Sequence, residues 1–329
     1  MKGVEIDIDL NATGRTAGWL RLPWSHDRAG YGTVAVPIVV LANGTGPTLL
    51  LVAGNHGDEY EGQVALARLA REFDVGQLAG RMILLPAANL PAVMAGTRLS
   101  PLDHGNLNRL FGAGERSPTG LLASFIASEL LPLAAAVIDL HSGGRSMTYV
   151  PSVFVQDAPT AALGSRTKML VEAFGAPYCF VKPHDADERT LLGACGRAGV
   201  PYLSTELAGG ERLDGALVEL ARLGIDRVLV MLGMQQAKPV APAADPQWLA
   251  VPDMKAYVYA ETDGVFQCSR ALGEDVGDND LLGWIHQPET PLTPPIEVRS
   301  RRGGILVCLR ATARVQRGDC LGHVGGRIA

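Results

Sequence analysis

Over the first two thirds of the chain, short continuous apolar runs alternate with longer segments in which apolar positions recur every three or four residues. That alternation predicts an α/β fold, because unbroken apolar runs suit strands covered on both faces and a 3.6-residue period suits helices lying on them. The predicted strands are "TLLLVAG" (48–54), "RMILLPAAN" (81–89), "AVIDLH" (136–141), "YCFVKP" (178–183) and "PYLSTEL" (201–207), with the strand-like "YGTVAVPIVVLA" (31–42) ahead of them. The predicted helices are "EGQVALARLAREF" (61–73), "PTGLLASFIASELL" (118–131), "TKMLVEAFG" (167–175) and "DGALVELARLGIDRVLVMLGM" (214–234).

In "QQAKPVAPAADPQW" (235–248) proline and alanine gather without either period, which places a domain boundary close to residue 245. Residues 1–245, the N-terminal strand segment included, are expected to form one domain and 246–329 a smaller one. From about residue 250 the chain is rich in glycine and valine with alternating polarity, as in "AYVYAETDGVFQCS" and "GGILVCLRATARV", and predicts an all-β domain of barrel or sandwich type without helices.

Composition narrows the function classes. Of 329 residues, 47% are apolar and 19% charged, which excludes a disordered or collagen-like chain. A net charge of −5 leaves no electrostatic footprint for nucleic acid or a membrane surface, so the expected partner is a small molecule or another subunit. The opening "MKGVEIDIDL" carries acids where a signal peptide needs an apolar core, and no stretch has the length of a membrane span, so a cytoplasmic location is expected. The five cysteines show no CxxC spacing and are expected to be reduced and buried.

The chemistry gathers where strands end. "GNHGDEYEG" (54–62) places His56 and Glu59 on a glycine-flanked turn behind an apolar run, at the sheet edge where α/β proteins bind ligands. His141 closes "AVIDLH" and would emerge at the same edge, completing a His2Glu set of the kind that holds catalytic zinc with a fourth position open. An HxxE pair alone is as well read as a polar surface turn; the second strand-end histidine weakens that reading. "RLSPLDHGNLNRLF" (98–111) carries Arg98, Asn108 and Arg109 among turn formers, and guanidinium groups there suit an anionic substrate group. "LSTELAGG" (203–210) puts Glu206 at another strand end, a general base for hydrolysis or equally a helix cap. Asp139, two residues before His141, is expected on the opposite strand face, with its role open. His26, His104, His184, His286 and His323 lack ligand spacing, His104 being the one nearest the arginine segment.

Taken together and in order, "GNHGDEYEG", "GNLNRLFG", "DLHSGG" and "STELAGG" resemble the succinylglutamate desuccinylase and aspartoacylase branch of the zinc carboxypeptidase superfamily, over roughly residues 45–235. The resemblance implies a mixed sheet flanked by helices, with a β-rich domain behind that narrows the active-site mouth. It further implies one Zn²⁺ per chain held by His56, Glu59 and His141, Glu206 as acid/base, Asn108 with Arg109 on the substrate α-carboxylate, and Arg98 on the scissile carbonyl. Arg98 stands further upstream of Asn108 than its family counterpart, so aligning it takes a short insertion. Within the branch, "GTRLSPLDHGNLNR" is most similar to the N-alpha-acetyl-diaminobutyrate deacetylases of ectoine breakdown. For the second amine of such a substrate, "KPHDADERT" (182–190) offers Asp185, Asp187 and Glu188, each also readable as a solvated loop residue.

The expected activity is therefore hydrolysis of a small N-acyl amino acid, with aspartoacylase or succinylglutamate desuccinylase activity, or a zinc carboxypeptidase, as enzymatic alternatives. Family members are often oligomeric, so a homo-oligomer stays open. The C-terminal region also resembles lipoyl and biotinyl carrier domains, but no lysine follows Lys255 to carry a cofactor. A metal-free amino-acid-binding protein would have no use for Glu206.

Overall fold

The computed structural model describes residues 3–114, 116–183, 187–236, 245–250 and 253–328. His184, Asp185 and most of the proline- and alanine-rich stretch lie outside them.

The strands Gly80–Leu85, Thr48–Ala53, Ala136–Leu140 and Tyr202–Glu206 lie side by side in that order and run parallel. Their alternate residues enter two different cores: Leu49, Leu51 and Ala53 face one, Leu50 and Val52 the other. Helices Tyr60–Glu72, Ala161–Phe174 and Gly215–Met231 cover the first face, and Pro118–Phe125 with Leu191–Ala198 the second. Both faces are thus dry, which is why these strands read as unbroken apolar runs. The single helix predicted over 118–131 is α-helical only to Phe125, continues as a π-helical turn Ile126–Leu130 and ends in Leu131–Leu133, where Pro132 cannot donate to the ladder.

The sheet is mixed. Ser152–Gln156 pairs antiparallel with Tyr202–Glu206, and Tyr178–Lys182 and Gln247–Ala250 follow in parallel with it. Gln247–Ala250 then pairs antiparallel with Cys320–Arg327, and Met147–Tyr149 with Gly304–Arg310, so the last strands of the chain continue the sheet that begins it. A separate antiparallel sheet joins Ile296–Arg299, Leu281–His286, Gly264–Cys268 and Arg314–Val315 over a small core shared with Leu306, Leu321 and Val324 of the large sheet. Apart from one 3₁₀ turn, Met254–Ala256, the described residues after 253 hold strands and turns, as expected. The cysteines are free, with Cys179, Cys195 and Cys308 buried and Cys268 and Cys320 partly so. No described helix is long and apolar enough to cross a membrane.

Candidate metal centre and substrate cleft

Two glycines explain how the first motif turns. Gly54 has φ of +69°, which L side chains rarely adopt, and a Cβ on Gly57 would collide with the Ala92 carbonyl oxygen. The chain can therefore fold back over the end of Thr48–Ala53, leaving Glu59 as the residue just ahead of helix Tyr60–Glu72. The neighbouring acids serve the turn itself: Asp58 accepts from the Arg145 amide at 2.8 Å, and Glu61 accepts from the Ser142 hydroxyl at 2.5 Å and the Asp214 amide at 3.1 Å.

Because Ala136–Leu140 runs parallel beside Thr48–Ala53, His141 emerges where the turn stands. Glu59 Oε1 lies 2.6 Å from His56 Nδ1, and Oε2 lies 2.8 Å from His141 Nδ1. Donor atoms of the three residues sit within 4.8 Å of one another, and all three residues are buried.

Each imidazole is held from behind. Asn106 Oδ1 accepts the Asn108 amide at 3.1 Å, and His56 Nε2 stands 3.1 Å from the same oxygen, so Nε2 must be the donor of that contact. His141 Nε2 is 3.0 Å from Asp139 Oδ2, and Asp139 also accepts from Asn55 Nδ2 at 2.8 Å and the Tyr202 hydroxyl at 2.9 Å. Asp139 therefore lies on the same side as His141, contrary to the expectation from sequence, since residues two apart on a strand share a face.

Burial drives the His56 pKa down and so favours the neutral ring, although Glu59 pulls the other way. Burial also depresses His141, but Asp139 and Glu59 outweigh it and hold that imidazole well above the usual range. Burial would raise the Glu59 carboxyl, yet the two imidazoles keep it well below an ordinary carboxylate. A charged His141 can donate to Glu59. A neutral His56 whose Nε2–H is committed to Asn106 instead aims a lone pair at a carboxylate oxygen 2.6 Å away, a contact that calls for positive charge between them. The Arg98 guanidinium approaches that gap, 3.4 Å from His56 Nδ1 and 3.5 Å from Glu59 Oε1. Two imidazole nitrogens and a carboxylate converging in this way fit a divalent cation, and their donor chemistry suits zinc.

Glu206 ends the strand beside His141, in register through Ser204 and Asp139. Its Oε2 is buried with no hydrogen-bond partner among the described residues. Burial and the charge on Glu59 push its carboxyl up to about 8, against the pull of His141, Lys182 and Arg98.

Opposite the strand ends, Asn108 and Arg109 belong to the 3₁₀ turn Leu107–Arg109, capped by Asn106. Asn108 Oδ1 accepts the Leu191 amide at 3.0 Å, tying the turn to the segment that carries Asp187. Arg109 is held by Asp187, with Nε to Oδ2 at 3.1 Å, and by the Asn108 carbonyl at 2.6 Å. Asp187 is itself gripped by Arg189 at 2.9 and 3.0 Å.

His56, Glu59, Arg98, Asn108, Arg109, His141 and Glu206 line one open cleft of about 650 Å³, together with Phe154, Lys182, Asp187, Tyr202 and Ser204. Of the acids offered for a second amine, Asp187 reaches the cleft and Glu188 is not in its lining. His104 is exposed at φ +55° and outside the lining, so its place is a turn. Among the described residues none of the lining lies beyond Glu206; in the C-terminal strands His323 is in ring contact with Tyr257 and with Tyr149. Sequence reasoning missed Asn106, Lys182 and Tyr202. The spacing N-x-N in "GNLNR" was the available sign for Asn106; Lys182 and Tyr202 sit within apolar runs that gave none.

The chain's residues 45–232 match the model of the succinylglutamate desuccinylase/aspartoacylase catalytic domain. It is 35% identical to the N-alpha-acetyl-L-2,4-diaminobutyric acid deacetylase of Halomonas elongata over 97% of this chain and 93% of the relative. Among solved structures, a succinylglutamate desuccinylase/aspartoacylase from Rhodobacter sphaeroides superposes with a TM-score of 0.92 at 38% identity, covering 99% of this chain and 100% of that one. The product-bound ectoine utilization protein EutE (DoeB) from Ruegeria pomeroyi gives 0.94 at 34% identity, covering 99% of each chain.

Proposed function

This chain belongs to the succinylglutamate desuccinylase/aspartoacylase family, and on that ground we propose that it is a zinc-dependent amidohydrolase acting on a small N-acyl amino acid, first of all N-alpha-acetyl-diaminobutyrate, as in ectoine breakdown. The observation that carries the reading is the convergence of His56, Glu59 and His141 in one cleft with Glu206, whose buried Oε2 has no hydrogen-bond partner among the described residues. The substrate assignment rests on the similarity to the Halomonas deacetylase and to EutE across nearly the whole chain.

His56, Glu59 and His141 would hold one Zn²⁺, which when bound supplies a Lewis acid for the acyl oxygen and makes an attacking water more acidic. Glu206 takes the proton from that water and delivers it to the leaving amide nitrogen, so that an amine and a short carboxylate depart. Without the metal its carboxyl is pushed up to about 8; a bound cation would lower it, so that Glu206 can accept the water's proton and later give it up near neutral pH. Arg98 faces the acyl oxygen and stabilises the charge that grows on it. Asn108 Nδ2 and the Arg109 guanidinium receive the α-carboxylate, and Asp187, in the cleft lining and paired with Arg109, is the carboxylate offered to a cationic side chain. Residues 1–245 make up the catalytic part in this reading and 246–329 a β-rich accessory part of a cytoplasmic enzyme.

The test is acetate release from N-alpha-acetyl-diaminobutyrate beside N-acetylaspartate and acyl release from N-succinylglutamate, before and after chelation. Preference for the first, lost on chelation and restored by zinc, is the expected result. Turnover of N-acetylaspartate or N-succinylglutamate instead would move the substrate within the family; no hydrolysis of any by zinc-loaded protein would remove the reading.

A further inference from the structure

We propose that Asn106 is a positioning residue that couples the metal centre to the substrate-carboxylate turn, through one oxygen atom serving both. Its Oδ1 stands 3.1 Å from His56 Nε2 and accepts the Asn108 backbone amide at 3.1 Å. The first contact fixes the ring plane of His56 and keeps its proton on Nε2, which leaves the Nδ1 lone pair on the Glu59 side, free to bind a metal. The second contact starts the 3₁₀ turn that carries Asn108 and Arg109.

Both duties fall on one oxygen, so moving it away from His56 also disturbs its bond to the Asn108 amide, and Asn108 in turn anchors Leu191 through its Oδ1 at 3.0 Å. A displacement at the metal ligand is therefore passed to both segments that face the substrate. The two histidines also differ in kind: Asp139 supports His141 with a carboxylate, whereas Asn106 supports His56 with a neutral amide. An uncharged acceptor orients the ring without adding basicity to it, so Asn106→Asp should keep the geometry and strengthen the ligand, and Asn106→Ala should lose the geometry.

This inference rests on His56 being a metal ligand. Zinc affinity is measured by competition with a chromogenic chelator for the wild type, Asn106→Ala, Asn106→Asp and His56→Ala, and KM and kcat for N-alpha-acetyl-diaminobutyrate are measured at saturating zinc. Loss of an outer hydrogen-bond partner typically weakens metal binding about 10–100-fold. The expected pattern is a loss of that size in Asn106→Ala, affinity above wild type in Asn106→Asp, and a raised KM in Asn106→Ala that persists when zinc saturates the site. A merely structural cap would be restored by Asn106→Asp to wild-type affinity and no further, whereas support of His56 by a carboxylate takes the affinity above wild type. Wild-type zinc affinity in Asn106→Ala, with His56→Ala defective, overturns the coupling alone; wild-type affinity in His56→Ala overturns the ligand assignment beneath it. If Asn106→Ala does not fold, Asn106→Asp decides: affinity no higher than wild type rejects the inference.

Discussion

The cleft has two unlike walls. On one, His56, Glu59 and His141 stand at strand ends with their side chains 3–6% exposed. On the other, Arg98 and Arg109 stand on connecting segments with side chains 49% and 40% exposed. The strand ends cannot shift without disturbing cores packed against both sheet faces. The connecting segments are tied down by hydrogen bonds between loops, such as Leu191 to Asn108 and the Gly57 amide to the Thr97 carbonyl at 2.8 Å, and their arginine side chains reach out from them. Groups whose chemistry needs fine placement occupy the sheet, and groups that receive a ligand occupy what can adjust to it.

Breaking the rigid wall should cost most. His141→Ala is expected to lose metal and drop hydrolysis to background, with metal content read on the same sample; residual zinc-dependent turnover near wild type would mean that the strand ends do not carry the reaction. Next in size, Glu206→Gln should retain metal while kcat falls about 10²–10⁴-fold. Metal-replete Glu206→Gln with wild-type turnover would remove its acid/base role. On the adjustable wall, Arg98→Ala should lower kcat by about 10²–10³-fold, the scale for losing one donor to a developing oxyanion. Arg109→Ala should mainly raise KM for substrates bearing an α-carboxylate; an equal fall in kcat with unchanged KM would erase the distinction between the walls.

The smallest effect is in pH. In metal-free protein Glu206 holds its proton up to about 8, whereas unfolded it would release it near 4.5. Between those values the folded chain binds more protons than the unfolded one, so stability falls as pH rises across that window. The Tm of metal-free wild type should therefore decline from pH 5 to pH 8 more steeply than that of Glu206→Gln. Parallel curves would show that the carboxyl is not held protonated by its surroundings.

The comparison also explains what could be read from the sequence. His56, Glu59, His141 and Glu206 were legible because each follows an apolar run whose end is visible, and strand ends of a parallel sheet share an edge. Asn108 and Arg109 were legible only through a motif, since nothing local says which way a loop faces. Asn106 was missed because its contact with His56 spans 50 residues and depends on how two turns meet. The antiparallel entry of Ser152–Gln156 was also hidden, because strand direction is set by its neighbours and leaves no mark on side-chain polarity. The same holds for Cys320–Arg327, whose alternating pattern marks a strand but not the partner it finds in Gln247–Ala250.

That last pairing matters to anyone shortening the gene. Ending the chain after the helix Gly215–Met231 would remove Gln247–Ala250 and bare the backbone of Tyr178–Lys182, turning an interior strand into a raw edge with buried Cys179 and Phe180 along it. Unpaired edges of this kind recruit strands from other molecules. An expression product trimmed to the residues that match the family's catalytic domain should keep His56, Glu59, His141 and Glu206 and still come out of the cell as aggregate.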